Sequence, residues 1–204
     1  CQAGITRAIL CTGYMGEYLE KMLGSQYKTL DIIYSREEVP LGTGGALREA
    51  ANLVREEWIL AMNGDSYIDI DYHKFISWHI WKGGNFSIVV VPVENSNRYG
   101  AIALDADQKV IEFVEKRPIR SSYSGLINAG VYLMSKSLTA GISSKEKLSL
   151  EREILPSLID DGIFGYRVNR GFIDIGTPES FQSAPEFFES ALRIKQPVRY
   201  AGDI

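Results

Sequence analysis

Short apolar runs closed by Gly, Asn, Asp or Pro alternate along the chain with stretches in which apolar residues recur every third or fourth position. The first pattern is that of strands buried in a sheet and the second that of amphipathic helices. Residues 7–12 (RAILCT), 30–35 (LDIIYS), 59–62 (ILAM), 86–93 (FSIVVVPV), 128–135 (NAGVYLMS), 164–168 and 171–175 read as strands. Residues 17–23 (EYLEKML) place Tyr18, Leu19, Met22 and Leu23 at helical spacing, with Gly24 as the cap. Residues 46–54 predict a second helix, and Asp71 caps a third that runs to Lys82 and stops at Gly83 and Gly84. Ser149 caps a fourth, bent at Pro156, in which Leu150, Ile154, Leu155, Leu158 and Ile159 face the core. Thr177, Pro178 and Glu179 form a helix start just after the last strand. Between residues 99 and 116, alternation around 105–108 predicts an antiparallel hairpin. Repeated strand, loop and helix units predict an α/β fold. Its sheet is mixed, mostly parallel, with helices on both faces, and residues 1–204 form a single domain.

Residues 58–71 (WILAMNGDSYIDID) carry the first sign of chemistry. The apolar run fits a strand buried on both faces, and Asp65 then stands at its carboxyl end behind Gly64. Ligands of open α/β sheets bind outside the strand carboxyl ends, so a carboxylate here can hold a metal; an ordinary turn aspartate has the same appearance. Asp174 repeats the arrangement, at a strand end and shortly before Gly176. Mg2+ takes one or two carboxylates together with water and phosphate oxygens, so the two aspartates are candidates to share one ion. Residues 39–45 (VPLGTGG) precede a helix, where Gly42, Gly44 and Gly45 leave backbone N–H groups unshielded for a base or phosphate. The same loop also reads as a plain turn, and it lacks both the Gly-Lys-Ser/Thr ending of a phosphate-binding loop and the GxGxxG fingerprint.

Composition narrows the classes. The chain has 204 residues, 45% hydrophobic and 24% charged, which is enough for a sizeable core. A net charge of -4, without a Lys or Arg run, argues against nucleic acid or an anionic membrane as the main partner. No apolar run reaches the roughly 20 residues that span a bilayer. The two cysteines, Cys1 and Cys11, lack metal-ligand spacing and are too few for a disulfide framework, which points to a reducing cytoplasm, with Cys11 as a small buried hydrophobe. His73 and His79 read as structural or solvated, and Trp78 and Trp81 as packing residues.

Six segments together carry a resemblance: residues 41–47 (LGTGGAL), 63–65 (NGD), 98–100 (RYG), 113–116 (FVEK), 127–132 (INAGVY) and 172–179 (FIDIGTPE). In order and spacing the chain is similar to the sugar-1-phosphate nucleotidyltransferases, and most to their guanylyl-transferring branch. The resemblance covers nearly the whole chain. It implies a Rossmann-like fold of the nucleotide-diphospho-sugar transferase type. It also implies an enzyme that moves a nucleoside monophosphate, with GTP as the expected donor, onto a heptose- or mannose-type sugar 1-phosphate and releases pyrophosphate. The roles it implies are Mg2+ held by Asp65 and Asp174, and the base contacted by Leu41, Gly42, Thr43 and Gly44. The sugar would be held by Gly100, Glu115 and Asn128, and its phosphate met by Lys116, so that Asp65, Lys116 and Asp174 form the catalytic set. The expected partners are NTP and sugar 1-phosphate, with no nucleic acid and no membrane; homo-oligomerisation is left open. One departure is large: the family's first strand, its GGxGTRL loop and a PKP segment have no counterpart here, so the domain is expected to be incomplete at its amino terminus. The alternative expectation is a non-catalytic homologue that binds nucleotide sugar without the triphosphate loop.

Overall fold

The computed structural model describes residues 1, 3–93, 101–114, 125–143 and 147–195. The elements run β1 (Arg7–Thr12), α1 (Gly16–Leu23), β2 (Gln26–Tyr27), β3 (Leu30–Arg36), α2 (Gly42–Ala51), β4 (Trp58–Met62) and β5 (Ser66–Ile68). They continue with α3 (Tyr72–Lys82), β6 (Phe86–Val93), β7 (Ala101–Leu104), β8 (Val110–Val114), β9 (Gly125–Ser135) and α4 (Lys136–Ala140). A π-helical turn (Leu150–Ile154) leads into α5 (Leu155–Ser157), α6 (Ile159–Gly162), β10 (Ile163–Arg167), β11 (Phe172–Asp174) and α7 (Pro178–Lys195). Among the described residues no helix is long and apolar enough to cross a membrane.

Local chemistry accounts for many boundaries. The Asp71 carboxylate accepts the Lys74 backbone N–H at 3.1 Å to start α3, and Gly83, at φ 68, ends it in the left-handed region. The hairpin of β7 and β8 turns on Asp105, whose Oδ1 accepts the N–H groups of Asp107 at 2.9 Å and Lys109 at 2.8 Å. Thr177 Oγ1 accepts the Ser180 N–H at 3.3 Å ahead of α7, with Pro178 as its first helical residue.

The mixed α/β architecture is as expected, but the balance of pairings is not. Among the described residues, only β1 with β3 and β6 with β10 pair in parallel. β4, β6 and β7 each pair antiparallel to β9. Those three strands and β10 therefore share one direction, and the reversed β9 lies among them, which makes most neighbouring pairs antiparallel. Strand direction depends on how the chain returns to the sheet, which residue pattern does not encode.

β6 alternates Phe86, Ile88 and Val90 into one core and Val89 and Val91 into another, so two apolar layers flank the sheet. The first includes Leu47 and Ala51 of α2 with Leu150 and Leu155; the second includes Phe75 of α3. β4 departs from the expected interior strand: Ile59 is buried but Met62 is 52% exposed, because only β9 pairs with it among the described strands. The spaced apolar residues of α1 remain exposed, as do Cys11 and Trp81. None of the three is the packing element that its hydrophobicity predicts, since burial requires an opposing surface.

Candidate active site

Asp65 lies between β4 and β5, directly before Ser66, while Asp174 ends β11. β5 and β11 form a two-stranded antiparallel ribbon in which Ser66 lies opposite Asp174, and the Ile175 N–H donates to the Asp65 carbonyl at 2.8 Å. Residues 109 positions apart thus meet at one ribbon end. α7 folds back over that ribbon, with Phe187 and Phe188 edge-on to Tyr67 at 6.0 and 5.0 Å.

The two carboxylates converge. A Cβ built on Gly176 would lie 3.1 Å from Asp174 Oδ1 and 3.6 Å from Asp65 Oδ2, so the glycine keeps a small gap open between them. Ser66 Oγ lies 3.5 Å from Asp65 Oδ1 and 3.4 Å from Asp174 Oδ2, and the Gly176 N–H donates to Asp174 Oδ1 at 3.1 Å. Carboxylate oxygens of both aspartates thus border one small gap. An all-oxygen pair fits a hard divalent ion, and among the described residues no group of three or more His, Cys, Asp or Glu surrounds it. The residues fit an ion that completes its shell from water and phosphate.

The glycine-rich loop is built differently from its sequence expectation. α2 begins at Gly42, and the Gly44 and Gly45 N–H groups are not unshielded: both point at the Leu148 carbonyl, at 2.8 and 3.4 Å. Leu148 returns its own N–H to the Leu41 carbonyl at 2.8 Å. A Cβ on Gly42 would meet the Leu148 carbonyl oxygen at 2.6 Å, and one on Gly44 would strike Ile154 Cδ1 at 2.5 Å. The glycines therefore admit the segment around Leu148 against the loop. Thr43 faces the same segment: its Oγ1 accepts the Leu150 N–H and donates to Glu151 Oε2, both at 2.8 Å.

Asn128 occupies a break in the sheet. Along one edge of β9, β4 pairs with residues 131–135 and β7 with Leu126 and Ile127, so residues 128–130 lie between the two. The Asn63 N–H reaches the Gly130 carbonyl at 2.8 Å across that break. Asn128 Oδ1 accepts the Gly130 N–H at 2.8 Å, and its Nδ2 donates to the Tyr132 hydroxyl at 2.7 Å. Tyr132 in turn donates to Glu151 Oε1 at 3.1 Å. Burial first, and the Glu151 charge second, hold the Tyr132 phenol well above its usual range, so it remains a donor.

Gly100, Glu115 and Lys116 lie outside the described residues. Their described neighbours Ala101 and Val114 pair with each other, and Ala101 also pairs with Ile127 beside Asn128. The sequence pattern gives neither Glu151 nor Tyr132, the last residue of the 127–132 segment, a role of its own. The only local hint at Glu151 is a carboxylate beside the capping Ser149 at the start of an otherwise apolar helical pattern.

The model of the family described as Nucleotidyl transferase matches residues 1–191. The chain is 35% identical to a D-glycero-alpha-D-manno-heptose 1-phosphate guanylyltransferase of Aneurinibacillus thermoaerophilus, over 89% of this chain and 77% of that protein. It is 32% identical to the mannose-1-phosphate guanyltransferase beta-B of Xenopus laevis, over 97% of this chain but only 56% of that protein, so it spans little more than half of such relatives. Among solved structures, HddC from Yersinia pseudotuberculosis superposes with a TM-score of 0.80 at 31% identity, covering 92% of this chain and 80% of that one. The same protein complexed with GMP-PN gives a TM-score of 0.79 at 30% identity, with the same coverage.

Proposed function

Because the chain belongs to the nucleotidyl transferase family, we propose that it transfers GMP from GTP to a sugar 1-phosphate of the heptose or mannose type, releasing pyrophosphate and forming a GDP-sugar. The observation that carries this reading is the convergence of Asp65 and Asp174 around Gly176. It is supported by the likeness to guanylyltransferases and to a structure complexed with GMP-PN. A cytoplasmic setting belongs to the same reading.

The chemistry requires no side-chain nucleophile. An already ionised oxygen of the sugar 1-phosphate attacks the α-phosphorus of GTP, the bond from that phosphorus to the bridging oxygen breaks, and pyrophosphate carries off the electron pair. Both reactants are anions, so catalysis consists mainly of positioning and charge neutralisation. Asp65 and Asp174 are the residues that would hold Mg2+, which when bound supplies positive charge at the α-phosphate. Leu41, Gly42, Thr43 and Gly44 receive the nucleotide. With Gly44 N–H already spent on Leu148, recognition there falls to the remaining backbone and side-chain groups of the loop. Asn128, Gly100 and Glu115 receive the sugar. Lys116, a compact and strongly hydrated cation, takes its phosphate.

The test is pyrophosphate release by the whole protein with a panel of NTPs, against heptose 1-phosphates, mannose 1-phosphate and glucose 1-phosphate. Release that is greatest with GTP and a heptose or mannose phosphate is the expected result. No release in any pairing overturns the proposal, and binding of GDP-sugar without turnover replaces it with a non-catalytic binding role.

A further inference from the structure

Glu151 stands where two halves of the site meet. Its Oε2 accepts the hydroxyl of Thr43, in the loop given to the nucleotide. Its Oε1 accepts the hydroxyl of Tyr132, which holds Asn128 on the strand given to the sugar. Ser149 Oγ adds a third hydrogen bond, to Oε2 at 3.1 Å. Thr43 and Tyr132 come from different elements, and these contacts to Glu151 run from one to the other through a single carboxylate.

The donors and acceptors run in a determined order. The Gly130 N–H occupies Asn128 Oδ1, so the amide nitrogen faces Tyr132; that nitrogen occupies the phenol oxygen, so the phenol proton points at Glu151. The Leu150 N–H likewise occupies Thr43 Oγ1, which turns the Thr43 proton to the other carboxylate oxygen. Both carboxylate oxygens of Glu151 accept, one from each end, and bonds to a charged acceptor are the strong ones. The backbone presents Glu151 through the π-helical turn, where the Ile154 N–H reaches five residues back to the Ser149 carbonyl at 3.3 Å. Such wide turns recur at functional sites.

We propose that Glu151 is a positioning residue that sets the nucleotide loop at Thr43 and the sugar strand at Asn128 relative to one another through its two carboxylate oxygens. The inference rests on the functional reading given above. Glu151 touches neither substrate in this scheme. Its effect is to orient Thr43 directly and Asn128 by way of Tyr132, so that losing it loosens both binding sites at once.

The whole protein is tested as wild type, Glu151→Gln, Thr43→Val, Tyr132→Phe and the Thr43→Val/Tyr132→Phe pair. KM and kcat are measured for GTP with D-glycero-α-D-manno-heptose 1-phosphate or mannose 1-phosphate, and Kd is measured for GTP and for each sugar phosphate separately. Glu151→Gln places an amide donor against one of two hydroxyls that already have a donor. It is expected to raise KM for nucleotide and sugar phosphate together, by roughly tenfold each, the scale of one hydrogen bond to a charged group. Tyr132→Phe alone should raise mainly the sugar phosphate KM and Thr43→Val mainly that of GTP. The losses in the pair should depart from the product of the single losses by roughly threefold or more, because coupled sites are not additive. The pair decides the matter if Glu151→Gln does not fold. A Glu151→Gln protein whose melting temperature falls while both KM values stay put, one in which only a single KM moves, or additive losses in the pair each overturn this inference alone. A wild-type protein that neither releases pyrophosphate nor binds either substrate overturns the functional reading and this inference with it.

Discussion

Gly130 in β9 lies directly against Asn63, the residue that leads β4 into Asp65: a Cβ at position 130 would sit 2.8 Å from Asn63 Nδ2 and 2.9 Å from its Cγ. Gly130 also has φ 71, in the region that side chains rarely adopt. Close approach and backbone conformation both demand glycine here. Gly130→Ala is therefore expected to cost roughly 1–3 kcal/mol in stability. It should also lower turnover, because Asn63 is pushed away and Asp65 moves with it. Urea unfolding and pyrophosphate release on the same preparation check both outcomes, and a stable, fully active variant would show that Asn63 does not fix Asp65.

Asp65→Asn and Asp174→Asn each remove one charge from the converging pair. Either should reduce kcat by roughly 100-fold or more, the scale of losing one preorganised electrostatic group, with the melting temperature nearly unchanged. A chelator such as EDTA should abolish wild-type pyrophosphate release, and added Mg2+ should restore it. Persistence of activity after chelation would remove the metal from the scheme.

Gly176→Ala tests the gap between the carboxylates without altering their charge. No positive φ forbids alanine there, but its methyl would press on Asp174 Oδ1 at 3.1 Å. The expected result is a higher Mg2+ concentration for half-maximal activity and a change in stability within about 0.5 kcal/mol. An unchanged Mg2+ titration would place the ion elsewhere.

His79 predicts an acid limit to stability. It is fully buried, its Nδ1 lies 2.7 Å from Ser87 Oγ, and Trp58 packs against the ring at 4.6 Å. Burial lowers its pKa from 6.5 to about 4. Above pH 6.5 both folded and unfolded chains hold it neutral. As pH falls below 6.5 the unfolded chain takes up a proton that the folded chain refuses until about pH 4, so stability falls through that window by up to roughly 3 kcal/mol. Urea midpoints at pH 7 and pH 4.5 should differ in the wild type, and the difference should shrink in His79→Leu/Ser87→Ala, which also removes the hydroxyl partner. An equal difference in both proteins would assign the acid sensitivity to other groups.

What could be read in the sequence is what neighbouring residues decide among themselves. Asp71 and Gly83 bound α3 because a side chain and a backbone conformation act within one turn, and β6 displays its two cores because side chains alternate along a strand. Asp65 and Asp174 were legible as carboxylates at strand ends, and the ordered motifs pointed to the family, while the nucleotide role of 41–44 and the sugar role of Asn128 belong to the proposal. Tertiary structure decided everything that joins residues far apart in the chain. α2 begins at Gly42 instead of position 46 because the Leu148 carbonyl satisfies the N–H groups of Gly44 and Gly45. β9 runs against its neighbours, a direction that period-two alternation does not contain. Trp81 and the apolar face of α1 stay exposed because hydrophobicity names a tendency to be covered but not the surface that does it. The gap at Gly176 arises only when β5 and β11 pair, and Glu151 becomes the link between Thr43 and Tyr132 only when the π-helical turn docks on the loop. Hydrogen bonds between distant residues have no period in the sequence, since their partners are chosen by packing.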